Sequence, residues 1–144
     1  MPHISLVTLG VDDLDAATRF YEALGWQRSP ASVPGTVAFL QGGNIALGLF
    51  GRADLAADAR LDQTPGPGPG AVALAMNVSS PVVVDEVLDV AQGAGAAIPK
   101  PAEPADWGGY SGYFLDLDGH LWEVAHNPFF ELREDGHVAL PMDT

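Results

Sequence analysis

The stretch Tyr113–His126 constrains the fold more than any other part of this sequence. Tyr113–Asp116 is an apolar run, Leu121–His126 alternates between two faces, and the pair Asp118-Gly119 stands between them. An Asp-Gly pair between two such runs is a strong signal for a β-hairpin. The sequence therefore predicts two antiparallel strands joined by a tight turn.

Glu123 lies in the middle of the second predicted strand. Side chains alternate along a strand, so Glu123 shares a face with Leu121 and Ala125, whereas Trp122 takes the other face, which we interpret as core. Burying a carboxylate without a partner is costly. Three interpretations follow and stay open: a carboxylate that binds a ligand in a cavity, a general base in an apolar pocket, or a structural remnant paired with a neighbouring polar group.

The order of the predicted elements repeats along the chain. Residues 4–50 and 71–126 each favour a strand, a capped amphipathic helix and three further strands. Residues 51–70 join them through a short helix and the linker D-Q-T-P-G-P-G-P-G, whose alternating Pro and Gly oppose regular structure. We predict a single domain over residues 1–128, with a tail at 129–144 that packs on it. The predicted fold is α+β, with two βαβββ modules forming a cupped mixed sheet and the helices outside.

Aromatic side chains cluster just before and within the predicted hairpin. Lys100–Ser111 is rich in Pro and Gly, which predicts a loop, and it carries Trp107 and Tyr110. Tyr113 and Phe114 follow in the first strand of the hairpin. Rings beside flexible glycines are suited to covering a ligand, and they are equally suited to closing the core between the modules.

The composition excludes several classes of function. The net charge is −13 with only six Lys and Arg residues, which opposes nucleic-acid binding because phosphates require clustered cations. The sequence has no Cys, which removes disulfides, thiolate metal ligands and a Cys nucleophile. No apolar run of membrane-spanning length and no signal-peptide pattern is present, so we expect a cytoplasmic protein with no membrane partner.

Two motifs resemble those of the vicinal oxygen chelate superfamily, which includes glyoxalase I, extradiol dioxygenases and bleomycin resistance proteins. They are V-D-D-L-D-A-A-T-R-F-Y-E-A-L-G-W (Val11–Trp26) and Y-F-L-D-L-D-G-H-L-W-E-V (Tyr113–Val124). The second motif usually reads D-P-D-G in this family, and Leu117 replaces the proline here. The resemblance implies the paired-module fold, but the superfamily contains isomerases, lyases, oxygenases and proteins that only bind ligands.

The resemblance also implies four positions for metal ligands, normally His or Glu. They correspond to Leu6, to Leu47 (or Gly48 if the register shifts by one), to Ala71 and to Glu123. Only Glu123 has a side chain that can bind a metal. The four histidines show no ligand spacing, and we interpret them as solvated or core residues: His3, His120, His126 and His137. We therefore predict that the family's metal site has been lost and that no cofactor is needed.

The leading hypothesis is a homodimeric protein that binds a small organic ligand, cationic or drug-like, without a metal. A different hypothesis is a metal-dependent enzyme of glyoxalase or dioxygenase type, with Glu123 as the catalytic or metal-binding group and further ligands elsewhere. A third is an accessory protein with a vestigial cavity. The predicted ligand-binding residues are Leu6, Leu47, Trp107, Tyr110, Tyr113, Phe114 and Glu123.

Overall fold

The computed structural model describes residues 1–142, so the last two positions of the predicted tail lie outside the described residues. Helices and strands alternate in the order that the repeated pattern predicts. Their bounds are β1 (Leu6–Val11), α1 (Leu14–Ala23), β2 (Gln27–Arg28), β3 (Val37–Gln41), β4 (Ala46–Gly51), α2 (Arg52–Asp58), β5 (Ala73–Asn77), α3 (Pro81–Gly93), β6 (Ala97–Pro104), β7 (Tyr110–Leu115), β8 (Leu121–His126), β9 (Glu131–Leu132) and β10 (Val138–Ala139).

The chain forms two compact units, each with its own four-stranded mixed sheet. The first unit contains Met1–Gly68 and the hairpin turn Leu117–His120, and the second contains Pro69–Asp116 and residues 121–142. The strand orders are β1-β4-β3-β2 and β5-β8-β7-β6. In each sheet the first pair of this order is parallel and the others are antiparallel. The predicted α+β fold with two βαβββ modules is confirmed, and the boundary of a single domain at residue 128 stays a prediction.

Helix α1 covers one face of the first sheet. The Asp13 side chain caps the helix by accepting a hydrogen bond of 3.0 Å from the Ala16 N–H. Its apolar side, which includes Phe20 and Tyr21, is buried. Leu40 and Leu47 of the sheet are at most 1% exposed, so this face is the core of the first unit.

The turn between β7 and β8 belongs to the first unit and forms several hydrogen bonds within it. The Asp118 carboxylate accepts a bond of 2.8 Å from the Asp12 N–H. The His120 Nε2 lies 2.8 Å from the Gly10 carbonyl, which can only accept, so Nε2 carries the proton. The Gly68 N–H, at the end of the Pro-Gly linker, donates to the Asp118 carbonyl at 3.1 Å. The Asp-Gly turn therefore fixes the linker as well as the hairpin.

Helix α3 covers one face of the second sheet. Ser80 caps it with a bond of 3.4 Å from the Val83 N–H, and Pro81 occupies the first turn, where its missing N–H costs nothing. The helix buries Val84 and Leu88 and contacts β6, β7 and β8.

The prediction of a loop over Lys100–Ser111 is wrong at both ends of that stretch. Strand β6 extends from Ala97 to Pro104, and β7 begins at Tyr110. Strand β6 is the edge of its sheet, and its register shifts twice against β7. An edge strand tolerates prolines because one side of its backbone has no partner to lose. Tyr110 therefore lies on the sheet and not in a flexible loop.

The tail forms a small hairpin from β9 and β10. Phe129, just before it, is 66% exposed, and its ring lies close to Gly108, where an added Cβ would be 3.0 Å from the ring. Among residues 1–142, no helix is both long and apolar enough to cross a bilayer.

Candidate functional site

A row of side chains crosses the face of the second sheet opposite α3, which we call the open face. Glu123 of β8 is paired in register with Ala75 of β5 and with Tyr113 of β7. Tyr113 is in turn paired with Lys100 of β6. Residues paired in register point to the same face of a sheet. Ala75, Glu123, Tyr113 and Lys100 therefore form one row, with neighbouring strands about 4.8 Å apart.

Glu123 and Tyr113 interact directly within this row. Burial raises the pKa of the Tyr113 hydroxyl, and the negative charge of Glu123 and a hydrogen bond to its carboxylate raise that pKa further. The phenol donates this bond and the carboxylate accepts it. Both side chains are half-buried, whereas Ala75 on the other side of Glu123 is exposed and small. The carboxylate thus has a phenol on one side and a small, exposed side chain on the other.

Lys100 also lies on the open face. The sequence did not indicate this, because Lys100–Ser111 was predicted to be a loop. Its ammonium lies 3.6 Å from the Glu103 carboxylate on the same strand. The side chains that β6 and β8 contribute to this face include one cation, Lys100, and two carboxylates, Glu103 and Glu123, so the open face is acidic overall. Lys100 lies two strands from Glu123, about 10 Å away at the usual strand spacing.

Two of the predicted ligand residues lie on the opposite face, beneath α3. Phe114 is fully buried and its ring stacks on Trp122, with centroids 5.9 Å apart and planes 7° apart. The Tyr110 hydroxyl donates a hydrogen bond of 2.8 Å to Asp85 of α3. Alternation along β7 places Tyr110 and Phe114 on one face and Tyr113 on the other, so the predicted aromatic cluster does not converge on Glu123.

Trp107 lies in the turn before β7 and is 46% exposed. Its ring covers Gly109, where an added Cβ would be only 1.9 Å from a ring carbon. Gly109 therefore has to lack a side chain for the ring to take this position.

In the first sheet, the two predicted ligand residues also lie on opposite faces. Leu47 is paired with Val7 and belongs to the buried face under α1, whereas Leu6 is on the other face and 42% exposed. The residue that shares the face of Leu6 is Gly48, which is paired with Thr8. The sequence left two residues open for this metal-ligand position, Leu47 and Gly48. Gly48 is the one that lies on the same face as Leu6.

The chain was compared with known protein families and solved structures. The model of the Glyoxalase/Bleomycin resistance protein/Dioxygenase superfamily matches residues 2–124. The chain belongs to this superfamily. The family match thus confirms the resemblance on which the four metal-ligand positions were assigned.

Solved structures of the superfamily match almost the whole chain. A glyoxalase-related enzyme from Fulvimarina pelagi is 33% identical, with 99% of this chain and 100% of that chain covered and a TM-score of 0.87. A glyoxalase/bleomycin resistance protein/dioxygenase from Nocardioides is 26% identical over 88% of this chain and 83% of that chain, with a TM-score of 0.72. Lactoylglutathione lyase from Agrobacterium tumefaciens shares the fold at 24% identity, over 88% and 95% of the two chains, with a TM-score of 0.68. No curated protein matches this chain significantly.

The superfamily's metal-ligand positions can now be placed on the strands of each module. Asp13 and Ser80 cap equivalent helices, which makes Ala73 the counterpart of Leu6. Ala71, the position predicted from the sequence, lies in a turn before β5 and is wrong for this reason. Gly48 is likewise the counterpart of Glu123. Gly48 is paired with Thr8, two positions after Leu6, and Glu123 is paired with Ala75, two positions after Ala73.

The residues at these positions do not fit a metal ion. Leu6, Gly48 and Ala73 have no donor atom in their side chains, and a divalent ion needs at least three protein ligands in such sites. Over the part of the chain that the structure describes, no group of three or more His, Cys, Asp and Glu side chains is arranged to hold a metal ion.

The histidines are engaged elsewhere. His126 Nδ1 lies 3.1 Å from the Val78 carbonyl, and His120 bonds to Gly10 as described above. The rings of His137 and His3 bond to the Asp135 carboxylate and to the Met1 carbonyl, both at 2.9 Å. Each ring thus has a local hydrogen-bond partner.

The Glu123→Gln substitution is expected to lower the pKa of Tyr113 toward its ordinary value of 10.0, because the negative charge is removed. Tyrosinate absorbance during an alkaline titration measures this shift. The titration should be made in a Tyr110→Phe background, since the hydrogen bond to Asp85 raises the pKa of Tyr110 as well. Adding Tyr113→Phe as a control should remove the shifted transition, and an unchanged transition in Glu123→Gln would contradict the pairing.

The raised pKa also gives the sign of the pH dependence. Folding favours the neutral phenol of Tyr113, so its contribution to the free energy of unfolding is complete below about pH 10 and is lost as the pH rises through the folded-state pKa. The free energy of unfolding that is lost as the pH rises above 10 should therefore be smaller in Glu123→Gln.

Proposed function

We propose that this protein binds a small organic cation on the open face of its second sheet, without a metal ion. The observation that carries the proposal is the row in which Glu123 is bonded to Tyr113 on one side and faces the small, exposed Ala75 on the other. An ionised carboxylate can accept about four hydrogen bonds, and Tyr113 uses one of them. A ligand beside Ala75 could use the remaining capacity.

Charge supports a cationic ligand over an anionic one. The net charge of the chain is −13, which raises the local concentration of cations near its surface. On the open face, Lys100 lies two strands away from Glu123 and is already paired with Glu103, so it does not form an ion pair with Glu123. An organic ammonium group would supply the missing charge, and the Tyr113 ring offers it an aromatic surface.

A melting-temperature screen tests this proposal. Primary and quaternary ammonium compounds are each compared with an uncharged analogue of the same shape. A ligand present at 100 times its Kd stabilises the folded protein by about 2.7 kcal/mol, so a saturable rise in Tm is expected with the cations alone. Glu123→Gln should reduce the rise.

The matched control is Glu134→Gln, which makes the same chemical change in the exposed turn between β9 and β10. It should leave the rise in Tm unchanged. A rise that is undiminished in Glu123→Gln, or that the uncharged analogues produce equally, would place the site elsewhere and overturn the proposal.

A second candidate is a metal-dependent enzyme of glyoxalase or dioxygenase type. It is favoured by the 33% identity to a structure described as a glyoxalase-related enzyme. The protein, stripped with a chelator, is screened against Ni, Zn, Mn, Co and Fe(II). A saturable rise in Tm with one metal that Glu123→Ala abolishes would replace the metal-free proposal with this one. The homodimer stays a prediction that sedimentation would test.

A further inference from the structure

An open groove of about 550 Å³ lies between α3 and β6 in the second unit. Its volume is within the range of small-molecule sites in proteins. The apolar part of the lining comes from Leu88 of the helix and from Ile98, Pro101 and Ala102 of the strand. This groove is on the helix-covered face of the sheet and is separate from Glu123, so it is not part of the function proposed above.

The polar part of the lining comes from three residues of α3. Asp85, Asp89 and Gln92 are spaced so that, together with Leu88, they follow one side of the helix. All three are exposed, whereas Leu88 is only 6% exposed. The groove thus has an apolar floor and two carboxylates along one edge.

Within residues 1–142, neither of the two carboxylates forms an ion pair. The groove is lined by no Lys or Arg, and the ion pairs of residues 1–142 include neither Asp85 nor Asp89. The partner of Asp85 is the neutral Tyr110 hydroxyl, at 2.8 Å. Lys100 is close in sequence, but it is paired in register with Tyr113 on the other face and lies 3.6 Å from Glu103. Both carboxylates are therefore accessible to a cation from outside the chain.

We propose that this groove is a second binding site, for an organic ammonium compound with an apolar body. The body would lie on Leu88, Ile98 and Ala102, where contact removes apolar surface from water. The ammonium group would lie at the edge, beside Asp85 and Asp89, and attraction between opposite charges would orient the ligand. A neutral ligand of the same shape would gain only the apolar contact.

The probe is 2-phenylethylamine, which is a cation at pH 7, with 2-phenylethanol as its uncharged counterpart of similar shape. The host is the Glu123→Gln protein, so that binding on the open face cannot contribute. Methyl signals of Leu88, Ile98 and Ala102 are followed by NMR as each probe is added. The amine should shift these signals with saturation, and the alcohol should bind more weakly by about tenfold.

Variants on α3 test the role of the charges. Asp85→Asn combined with Asp89→Asn keeps the shapes and removes both charges, and it should weaken amine binding by about tenfold while leaving the alcohol unchanged. Glu86→Gln is the matched control, since Glu86 is an exposed residue of the same helix that does not line the groove. It should leave both affinities unchanged. Added salt should weaken the amine alone.

Three results would overturn the proposal. The first is that the methyl signals do not shift with either probe, and the second is that the two probes bind equally. The third is that the double Asn variant binds the amine as tightly as its parent. Because the host lacks the Glu123 carboxylate, failure here leaves the proposal for the open face untouched. Failure of Glu123→Gln to alter the Tm screen likewise leaves the groove untouched.

Discussion

Replacing Phe114 with alanine is expected to lower the free energy of unfolding by about 3–5 kcal/mol, the usual cost of deleting a buried aromatic ring. Phe114 is 0% exposed and stacks on Trp122, which is 4% exposed. The deletion removes this stacked contact and leaves a cavity under α3, which neighbouring side chains can fill only in part. The residue was predicted from the sequence as a ligand contact, and its position makes it a core residue of the second unit.

Urea denaturation of Phe114→Ala measures this loss. Phe129→Ala is the matched control, because the same ring is removed from a side chain that is 66% exposed, and it should cost less than about 1 kcal/mol. If Phe114→Ala kept its stability and instead lost ligand binding, the assignment to the core would be wrong and the ligand role would be supported.

Replacing Gly112 with alanine should cost about 1–3 kcal/mol, although only one methyl group is added. A Cβ at this position of β7 would lie 2.7 Å from Leu88 Cδ1, 2.8 Å from the Ala102 backbone nitrogen and 3.0 Å from the Ala102 Cα. The Leu88 side chain can rotate away, but the Ala102 backbone belongs to the neighbouring strand β6. Relief of the clash therefore requires β6 to move, with loss of its pairing to β7.

Gly93→Ala is the matched control for Gly112→Ala. Gly93 is the last residue of α3, and an added Cβ there would have no atom within 4 Å. Alanine loses less backbone freedom than glycine on folding, so Gly93→Ala should be neutral or stabilising by up to about 1 kcal/mol. Opposite signs for the two substitutions would confirm that close approach, and not glycine flexibility, determines the residue at position 112. A neutral Gly112→Ala would show that β6 adapts freely.

The modules themselves could be predicted from local signals. Asp13 and Ser80 mark the two helix starts, and Asp118-Gly119 marks the hairpin, because caps and tight turns depend on residues close together in the chain. Trp122 was assigned to the core from alternation along its own strand, and it is 4% exposed. Each of these signals involves fewer than about ten residues, so no long-range information was needed.

The candidate site was harder to predict, since it depends on register between strands. Leu47 and Gly48 are neighbours in sequence, and a shift of one residue moves the metal-ligand position from the buried face to the face shared with Leu6. The resemblance places a metal-ligand position at Ala71, two residues before Ala73, but the strand begins only at Ala73. Lys100 was missed because prolines on both sides of it favoured a loop, whereas the edge position of β6 tolerates them.

The sequence by itself determined the class of fold, the two βαβββ modules and the central carboxylate at Glu123, because periodicity, capping and turn residues act over short distances. The tertiary structure alone decided which residues accompany Glu123: Tyr113 and Lys100 join it on the open face, whereas Tyr110 and Phe114 face α3. That division follows from the pairing of β6, β7 and β8, in which residues far apart in the chain become neighbours through backbone hydrogen bonds. Strand pairing, and not the properties of any one segment, therefore defines the site.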